Sequence, residues 1–386
     1  MTKLIKCFED LKDLPQGTEV FCLNSGGLDS AYLICRLIHD FKFKVHTLTL
    51  DVGQNDQVSV CLPNYITKTI DVHTVDAKEE FARDCVLPLI RANGIYLNQH
   101  PLSASLSRPL IAKHLVRIAQ KYKIETILHS ATPSQNSMRR FNTSILDLGF
   151  NGLYGSPYLN DNISRIDKAS YIRSLGATIE EKRSFSIDTN LFCREFESGD
   201  LDNPELMNLN EEMFLWTKSV PSENIKITLE IENGIPVRIN NQSFSLVELV
   251  SYLNTHLGPF GLGRYLGLEE GPLGKKVIEA RETPAGYFLL TAFDHLINAS
   301  FDYKSLLVKR HLDQLWTCEA VEGRWFGTIK NSIDQFNNEF FKNVSGRLTF
   351  DISYKTMDCR SIISSTPRYS TEREFDDLNK EVERAA

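Results

Sequence analysis

The sequence predicts an α/β fold: an open parallel sheet with crossover helices, followed by an α+β domain and a C-terminal helix. Three observations carry this. Short β-rich apolar runs alternate with amphipathic helical stretches from Glu19 to about Ser130, the pattern of a parallel sheet with crossover helices. Strands and helices then mix in another order after a Gly-, Asn-, Pro- and Ser-rich stretch. At 386 residues the chain is too long for one ordinary core and fits two.

In order along the chain, Val20-Phe21-Cys22-Leu23 reads as a first strand. Ala31 to Asp40 reads as a helix, with Leu33, Ile34, Leu37 and Ile38 on one face. Lys44 to Val52 supplies a second strand, Lys78 to Ala92 and Arg108 to Lys121 two longer helices, and Thr126 to His129 a further strand. Between Asn151 and Ser164 the composition is that of a loop and a candidate domain edge. Beyond it, strands are expected at Ile225 to Ile231 and Arg347 to Tyr354, and helices at Leu246 to His256, Ala285 to Ala299 and Asp302 to Thr317. Thr371 to Ala386 carries Phe375, Leu378 and Val382 among many charges. That narrow apolar stripe suits a helix packed on its own chain or a neighbouring subunit.

Composition narrows the function classes. With 42% hydrophobic and 24% charged residues, the chain is an ordinary soluble globular sequence. A net charge of -7 argues against a broad nucleic-acid surface. Eight cysteines are scattered without a CxxC pair or zinc spacing, so they read as buried or incidental thiols in a reducing compartment. The amino-terminal residues lack the apolar run of a signal peptide, and no stretch reaches the roughly 18 apolar residues of a membrane span. A cytoplasmic protein without nucleic-acid or membrane partners is expected.

The chemistry centres on Leu23-Asn24-Ser25-Gly26-Gly27-Leu28-Asp29-Ser30, where the first strand gives way to the first helix. Ligands of α/β sheets bind at such strand ends. Adjacent glycines let backbone N–H groups approach an anion, and the following helix adds its positive end. Ser25 and Ser30 can donate to phosphate oxygens. Asp29 would repel phosphate unless it caps the helix or helps hold Mg²⁺. The plainer reading is a helix-entry turn with Asp29 as its cap.

This loop resembles the SGGxDS loop of the N-type ATP pyrophosphatases, which include GMP synthetase, asparagine synthetase, argininosuccinate synthase and tRNA-thiolating enzymes. It lacks the lysine of the GxxxxGK[ST] phosphate loop. Asp51-Val52-Gly53-Gln54, Glu80 to Asp84, Ser107 to Ala112, Ser186-Ile187-Asp188 with Asn190-Leu191, Glu282 to Gly286, and Trp325 to Gly346 resemble argininosuccinate synthase, in the same order. The resemblance implies a nucleotide-binding domain of the adenine nucleotide α-hydrolase type at 1–168, a synthetase domain at 169–365, and a C-terminal oligomerisation helix at 366–386 of a homotetramer. It also implies ATP and Mg²⁺ as cofactors, with small molecules as substrates. In that family ATP adenylates the ureido oxygen of citrulline, releasing pyrophosphate, and the amine of aspartate then displaces AMP.

Carried over position by position, the resemblance gives ATP the residues Leu23 to Ser30, Leu50 and Ser130, the last replacing a glycine. The amine donor receives Ala104, Thr132, Asn136 and Ser137, with Ser137 in place of an aspartate. The citrulline pocket receives His100, Ser105, Asn136, Arg140, Ser186, Glu195, Glu269 and Arg281. Three of these depart from the family: His100 and Arg281 stand for tyrosines, and Glu195 for a serine. Singly, His100 could be a loop histidine, Glu195 a solvated carboxylate, and Arg281 a surface cation pairing with Glu279 or Glu282. Together they change charge and hydrogen bonding throughout one pocket, since an arginine adds a fixed cation and five donors. The expectation is a divergent member that keeps the activation step, with Arg281 and His100 meeting an anionic group and Glu195 a cationic one. A regular argininosuccinate synthase and a catalytically silent paralogue are the alternatives. Cys193, beside the substrate segments, reads as packing.

Overall fold

The computed structural model describes residues 3–54, 60–133, 136–179, 185–206, 209, 211–218, 223–271 and 274–371. The C-terminal helix expected from Thr371 onward lies outside the described residues, as do Ser134 and Gln135.

The first half builds a six-stranded, all-parallel sheet. Its order is Lys3–Ile5, Leu153–Gly155, Thr126–Leu128, Glu19–Leu23, Lys44–Asp51, Ile70–Asp76. From the Glu19–Leu23 strand the chain runs outward to Lys44–Asp51 and Ile70–Asp76, then returns to Thr126–Leu128 on the other side. That reversal opens a crevice at the strand ends, where α/β sheets take ligands. Alternation along Val20-Phe21-Cys22-Leu23 sends Val20 and Cys22 into one apolar layer with the Leu28–His39 and Arg165–Ser174 helices. Phe21 and Leu23 enter the opposite layer, with the Ala104–Tyr122 and Ser137–Asp147 helices.

Four expectations change. The Glu19–Leu23 strand is preceded by a short edge strand, Lys3–Ile5. The Asn151–Ser164 stretch contains the Leu153–Gly155 strand, buried between two others. Its glycine content reflects close approach: Gly155 has φ of +134°, and a Cβ there would lie 2.5 Å from the Ile5 carbonyl oxygen. The helix expected over Lys78 to Ala92 has a π-turn at Ala82–Val86 between the Lys78–Phe81 and Leu87–Arg91 segments. Pro88 has no N–H to donate one turn back, and a widened turn accommodates it. The helix expected from Arg108 begins at Ala104, which leaves Pro109 inside it.

The Arg165–Ser174 helix spans the expected division after residue 168 and packs on the Leu28–His39 helix through Ile172 and Tyr171. The second half has two antiparallel sheets. One has the order Ser186–Thr189, Arg194–Glu197, Lys276–Glu282, Arg264–Glu270; the other is built on Ile225–Glu232 and Gly346–Ser353. Helices Leu246–Leu257, Pro284–Ser300, Tyr303–Val321 and Thr328–Phe341 cover them. Their starts follow local chemistry. Ser245 and Glu248 form a reciprocal capping box, and Asp302 accepts from Ser305 N–H. The largest apolar cluster joins both halves, with Phe81, Leu89 and Leu106 beside Phe288, Leu253 and Trp316. Leu191, Phe192 and Cys193 of this cluster form the turn between the Ser186–Thr189 and Arg194–Glu197 strands of the four-stranded sheet. No helix among the described residues is long and apolar enough to cross a membrane.

Candidate active site

Two groups of residues meet at the crevice. The first is the loop after the Glu19–Leu23 strand. Gly26 has φ of +72°, a left-handed turn that glycine adopts without strain. Its N–H donates to Asn24 Oδ1 at 3.0 Å, Gly27 N–H donates to Ser25 Oγ at 3.4 Å, and the Ser25 and Ser30 hydroxyls lie 3.1 Å apart. The loop is thus shaped by its own short side chains, with Ser25 exposed at its tip. The N-cap of the Leu28–His39 helix is Gly27, without a side-chain cap. Asp29 therefore does not cap the helix. Its Oδ1 accepts from Lys168 Nζ at 2.8 Å, and its backbone carbonyl accepts from the Tyr158 hydroxyl at 2.8 Å. The ammonium also lies 4.2 Å from the Tyr158 ring centroid, within cation–π range. A cavity of about 390 Å³ opens beside this pair, lined by Thr132, Pro133, Tyr158, Leu159, Asp161, Asn162, Ile163 and Lys168.

The second group is one face of the four-stranded sheet. Strand register places Asp188 opposite Glu195, Glu195 opposite Arg281, and Glu197 opposite Glu279. Period-two alternation puts all of them on the same face. Glu269, from the neighbouring strand, joins them. The Arg281 guanidinium sits at the centre. It lies 3.2 Å from Glu195 Oε2 and 3.1 Å from Glu269 Oε2, and it donates to Glu279, the Pro101 carbonyl and His100 Nδ1. Glu195 also accepts from Ala104 N–H at 3.3 Å. Glu269 accepts from Arg140 Nη2 at 2.7 Å and from Asn136 Nδ2 at 3.0 Å, while Arg140 Nε donates to the Val321 carbonyl at 2.9 Å. At the edge Arg108 pairs with Asp188 and donates to Ser137 Oγ at 3.2 Å.

Burial sets the charge states. Arg281 is 2% exposed; burial works against its charge, but Glu195, Glu279 and Glu269 outweigh it and keep it cationic. Burial also works to raise the Glu269 carboxyl, yet Arg140 and Arg281 hold it at about 2. Glu279 is raised well above its ordinary range by burial and then by the Glu269 charge, with Arg281 opposing. Burial, with Glu195 and Asp188 nearby, brings Glu197 to about 7. Burial and the Arg281 charge lower His100 to about 3, so it stays neutral. Because Nδ1 accepts from Arg281, Nε2 carries the imidazole proton. His100, Glu269 and Glu279 have the grouping of a metal site, but Arg281 already supplies the positive charge among them.

The structure therefore joins His100, Ala104, Asn136, Arg140, Glu195, Glu269 and Arg281 in one network. Two plain readings fail and one holds in part: His100 is buried on a short strand, Glu195 is buried, and Arg281 is buried although it does pair with Glu279. What the structure sets against Arg281 is the protein's own carboxylates, while Arg281 Nε and His100 Nε2 are buried without a hydrogen-bond partner among the described residues. Glu282 lies on the opposite face. There it accepts from the backbone N–H groups of Leu215, Trp216 and Thr217 and pairs with Arg194. Ser186 is exposed, in register with Glu197 at the far end of the sheet, whereas Ser105 is buried in the first turn of its helix. Leu50 is buried near the end of its strand; Ser130 and Thr132 follow the Thr126–Leu128 strand. That segment is fixed by neutral His129, which burial lowers to about 4: Nδ1 accepts from Ala131 N–H, and Nε2 faces Asn142 Oδ1 at 2.9 Å. Cys193 is packed in the core, its thiol pushed up to about 12 by burial; Cys61, however, is exposed.

Sequence reasoning missed Lys168, Arg108, Asp188 and Glu279 as parts of the site. Glu279 had a signal, lying two residues from Arg281 and so on the same strand face. Lys168 had none, since its partner Asp29 is 139 positions away.

A family model described as the argininosuccinate synthase N-terminal HUP domain matches residues 19–177, and one for the argininosuccinate synthase C-terminal domain matches residues 185–383. The argininosuccinate synthase of Saccharolobus solfataricus is 33% identical over 331 residues, covering 85% of this chain and 84% of its own length. That of Metallosphaera sedula is 32% identical over 348 residues, covering 90% and 88%. Among solved structures, the U34-tRNA thiolase NcsA from Methanococcus maripaludis with its [4Fe-4S] cluster aligns over 44% of this chain and 60% of its own. Its TM-score is 0.29 at 11% identity, too slight a likeness to bear on function. Two family models that together take in both halves, and relatives matched over most of their length, place the chain in the argininosuccinate synthase family.

Proposed function

We propose that this protein is an AMP-forming carbon–nitrogen ligase that activates a ureido or related carbonyl oxygen with ATP, and that its acceptor is not citrulline. The activation half rests on the phosphate loop: two serine hydroxyls and a left-handed glycine at a helix N-terminus suit a polyphosphate. Mg²⁺ bound to the phosphates would neutralise charge on the leaving pyrophosphate, and Asp29 is the carboxylate the loop offers it. The acceptor oxygen attacks the α-phosphate, pyrophosphate leaves, and an amine such as that of aspartate displaces AMP. A homotetramer belongs to the same reading.

The observation that carries the changed specificity is the Arg281 network. Six of the eight positions that the resemblance gives to citrulline are already bonded to one another: Glu195, Glu269 and His100 by Arg281, and Asn136 and Arg140 by Glu269. A ligand that had to break these buried pairs without replacing them would lose several orders of magnitude in discrimination. An acceptor that leaves them intact, anchored nearer the phosphate loop, would not. The relatives' names favour the alternative of a regular argininosuccinate synthase. Purified protein given Mg²⁺-ATP, citrulline and aspartate separates the two. The proposal expects argininosuccinate to form slowly or not at all, and rapid formation at submillimolar citrulline would overturn it.

A further inference from the structure

The phosphate loop contains no lysine of its own, yet an ammonium group stands beside it. Lys168 comes from the Arg165–Ser174 helix, and its side chain is 7% exposed. A nearly buried ammonium requires compensation. It has the Asp29 carboxylate, at 2.8 Å, and the face of the Tyr158 ring. Asp29 is itself a loop residue and its side chain is 43% exposed, so an isolated Asp29 would be solvated without needing a buried partner. Tyr158 is fixed by its hydroxyl bond to the Asp29 carbonyl, which holds the ammonium at the loop. Lys168 also lines the 390 Å³ cavity beside the loop, together with Thr132 and Asn162. Of its three N–H donors, Asp29 takes one.

We infer that Lys168 is a polyphosphate-binding residue, delivering from a separate helix the ammonium that the loop sequence lacks, and that the adjoining cavity receives pyrophosphate. Asp29 holds the ammonium in place. With a polyphosphate on the loop, the phosphate oxygens share it. The inference deepens the reading of the chain as an ATP-cleaving ligase and rests on it.

The test is equilibrium binding of inorganic pyrophosphate and of ATP, without Mg²⁺, to the full chain and to Lys168→Met, Lys168→Arg, Asp29→Asn and the Lys168→Met/Asp29→Asn double variant. Thermal midpoints are measured on each. The expected result is at least tenfold weaker pyrophosphate binding in Lys168→Met, less than threefold in Lys168→Arg, and binding at least as strong as in the unmodified protein in Asp29→Asn. The double variant must stay weak. If Lys168 only neutralises Asp29, the double variant recovers full affinity, and the inference is overturned. Equal binding by Lys168→Met and the unmodified protein overturns it alone and leaves the ligase reading standing. No binding of ATP or pyrophosphate by the unmodified protein overturns both.

Discussion

Replacing Arg281 with methionine removes the cation on which three carboxylates converge while keeping most of the apolar stem. Glu195 and Glu269 lie 3.2 and 3.1 Å from the guanidinium. At an effective dielectric of about 20, each such contact attracts by roughly 5 kcal/mol. Desolvation of the buried guanidinium offsets several kcal/mol of this, and Arg140 still faces Glu269 in the variant. Two further acceptors, the Pro101 carbonyl and His100 Nδ1, lose their donor at about 1–3 kcal/mol each where no water reaches them. The net expectation is about 4 kcal/mol, within the range for breaking a buried pair by removing one partner, or roughly 5 °C in Tm for a chain of this size. The deficit must depend on pH. Burial opposes the charge of Glu269 and Glu279, and without Arg281 that opposition is less offset, so the variant regains stability as pH falls and loses it as pH rises. Thermal unfolding at pH 5.5 and pH 8 reads this out, with the deficit at pH 8 about twice that at pH 5.5. A deficit below about 1 kcal/mol, or one unchanged between the two pH values, would refute the view that Arg281 neutralises this face.

Other consequences follow from single residues. Glu197 is raised from 4.5 to about 7, so its stability contribution is complete below about pH 4.5 and is lost as pH rises through 7. The loss is about 3 kcal/mol. Glu197→Gln should remove that part of the pH dependence, and identical pH profiles in variant and parent would count against the assignment. Glu282→Ala strips the acceptor from three backbone N–H groups and from Arg194. A loss of about 4 kcal/mol is expected in denaturant unfolding, and less than about 1 kcal/mol would show that water replaces it. Ser30→Ala removes a hydroxyl that donates to the Gly27 carbonyl at 3.0 Å; ATP affinity should fall about tenfold with Tm changed by less than about 2 °C, by analogy with the loss of one charge-assisted bond. Undiminished ATP affinity would remove Ser30 from the phosphate site. Gly155→Ala places a methyl 2.5 Å from the Ile5 oxygen at a left-handed φ. It should cost about 2–3 kcal/mol, and a neutral result would contradict the close approach of those strands.

What the sequence reveals is local. The phosphate loop is contiguous, its glycines and serines act within six residues, and the strand and helix beside it follow from the period of their apolar residues. The charged face is assembled from segments far apart in the chain, His100 and Arg281 being 181 positions apart. Its geometry depends on the register that sets Glu195 against Arg281. No propensity encodes that register. Hence the residue types were legible as anomalies while their mutual neutralisation was not. The Leu153–Gly155 strand was hidden for another reason: glycine chosen for close packing has the same composition signature as glycine chosen for a turn.

The central claim is activation of a carbonyl acceptor other than citrulline. Incorporation of labelled pyrophosphate into ATP, measured with each of a panel of ureido and carboxamide compounds, tests it most directly, because exchange requires both the phosphate loop and an acceptor that fits. The account predicts at least one acceptor that drives exchange tenfold or more faster than citrulline. Citrulline as the best acceptor, or no exchange with any compound, would contradict it.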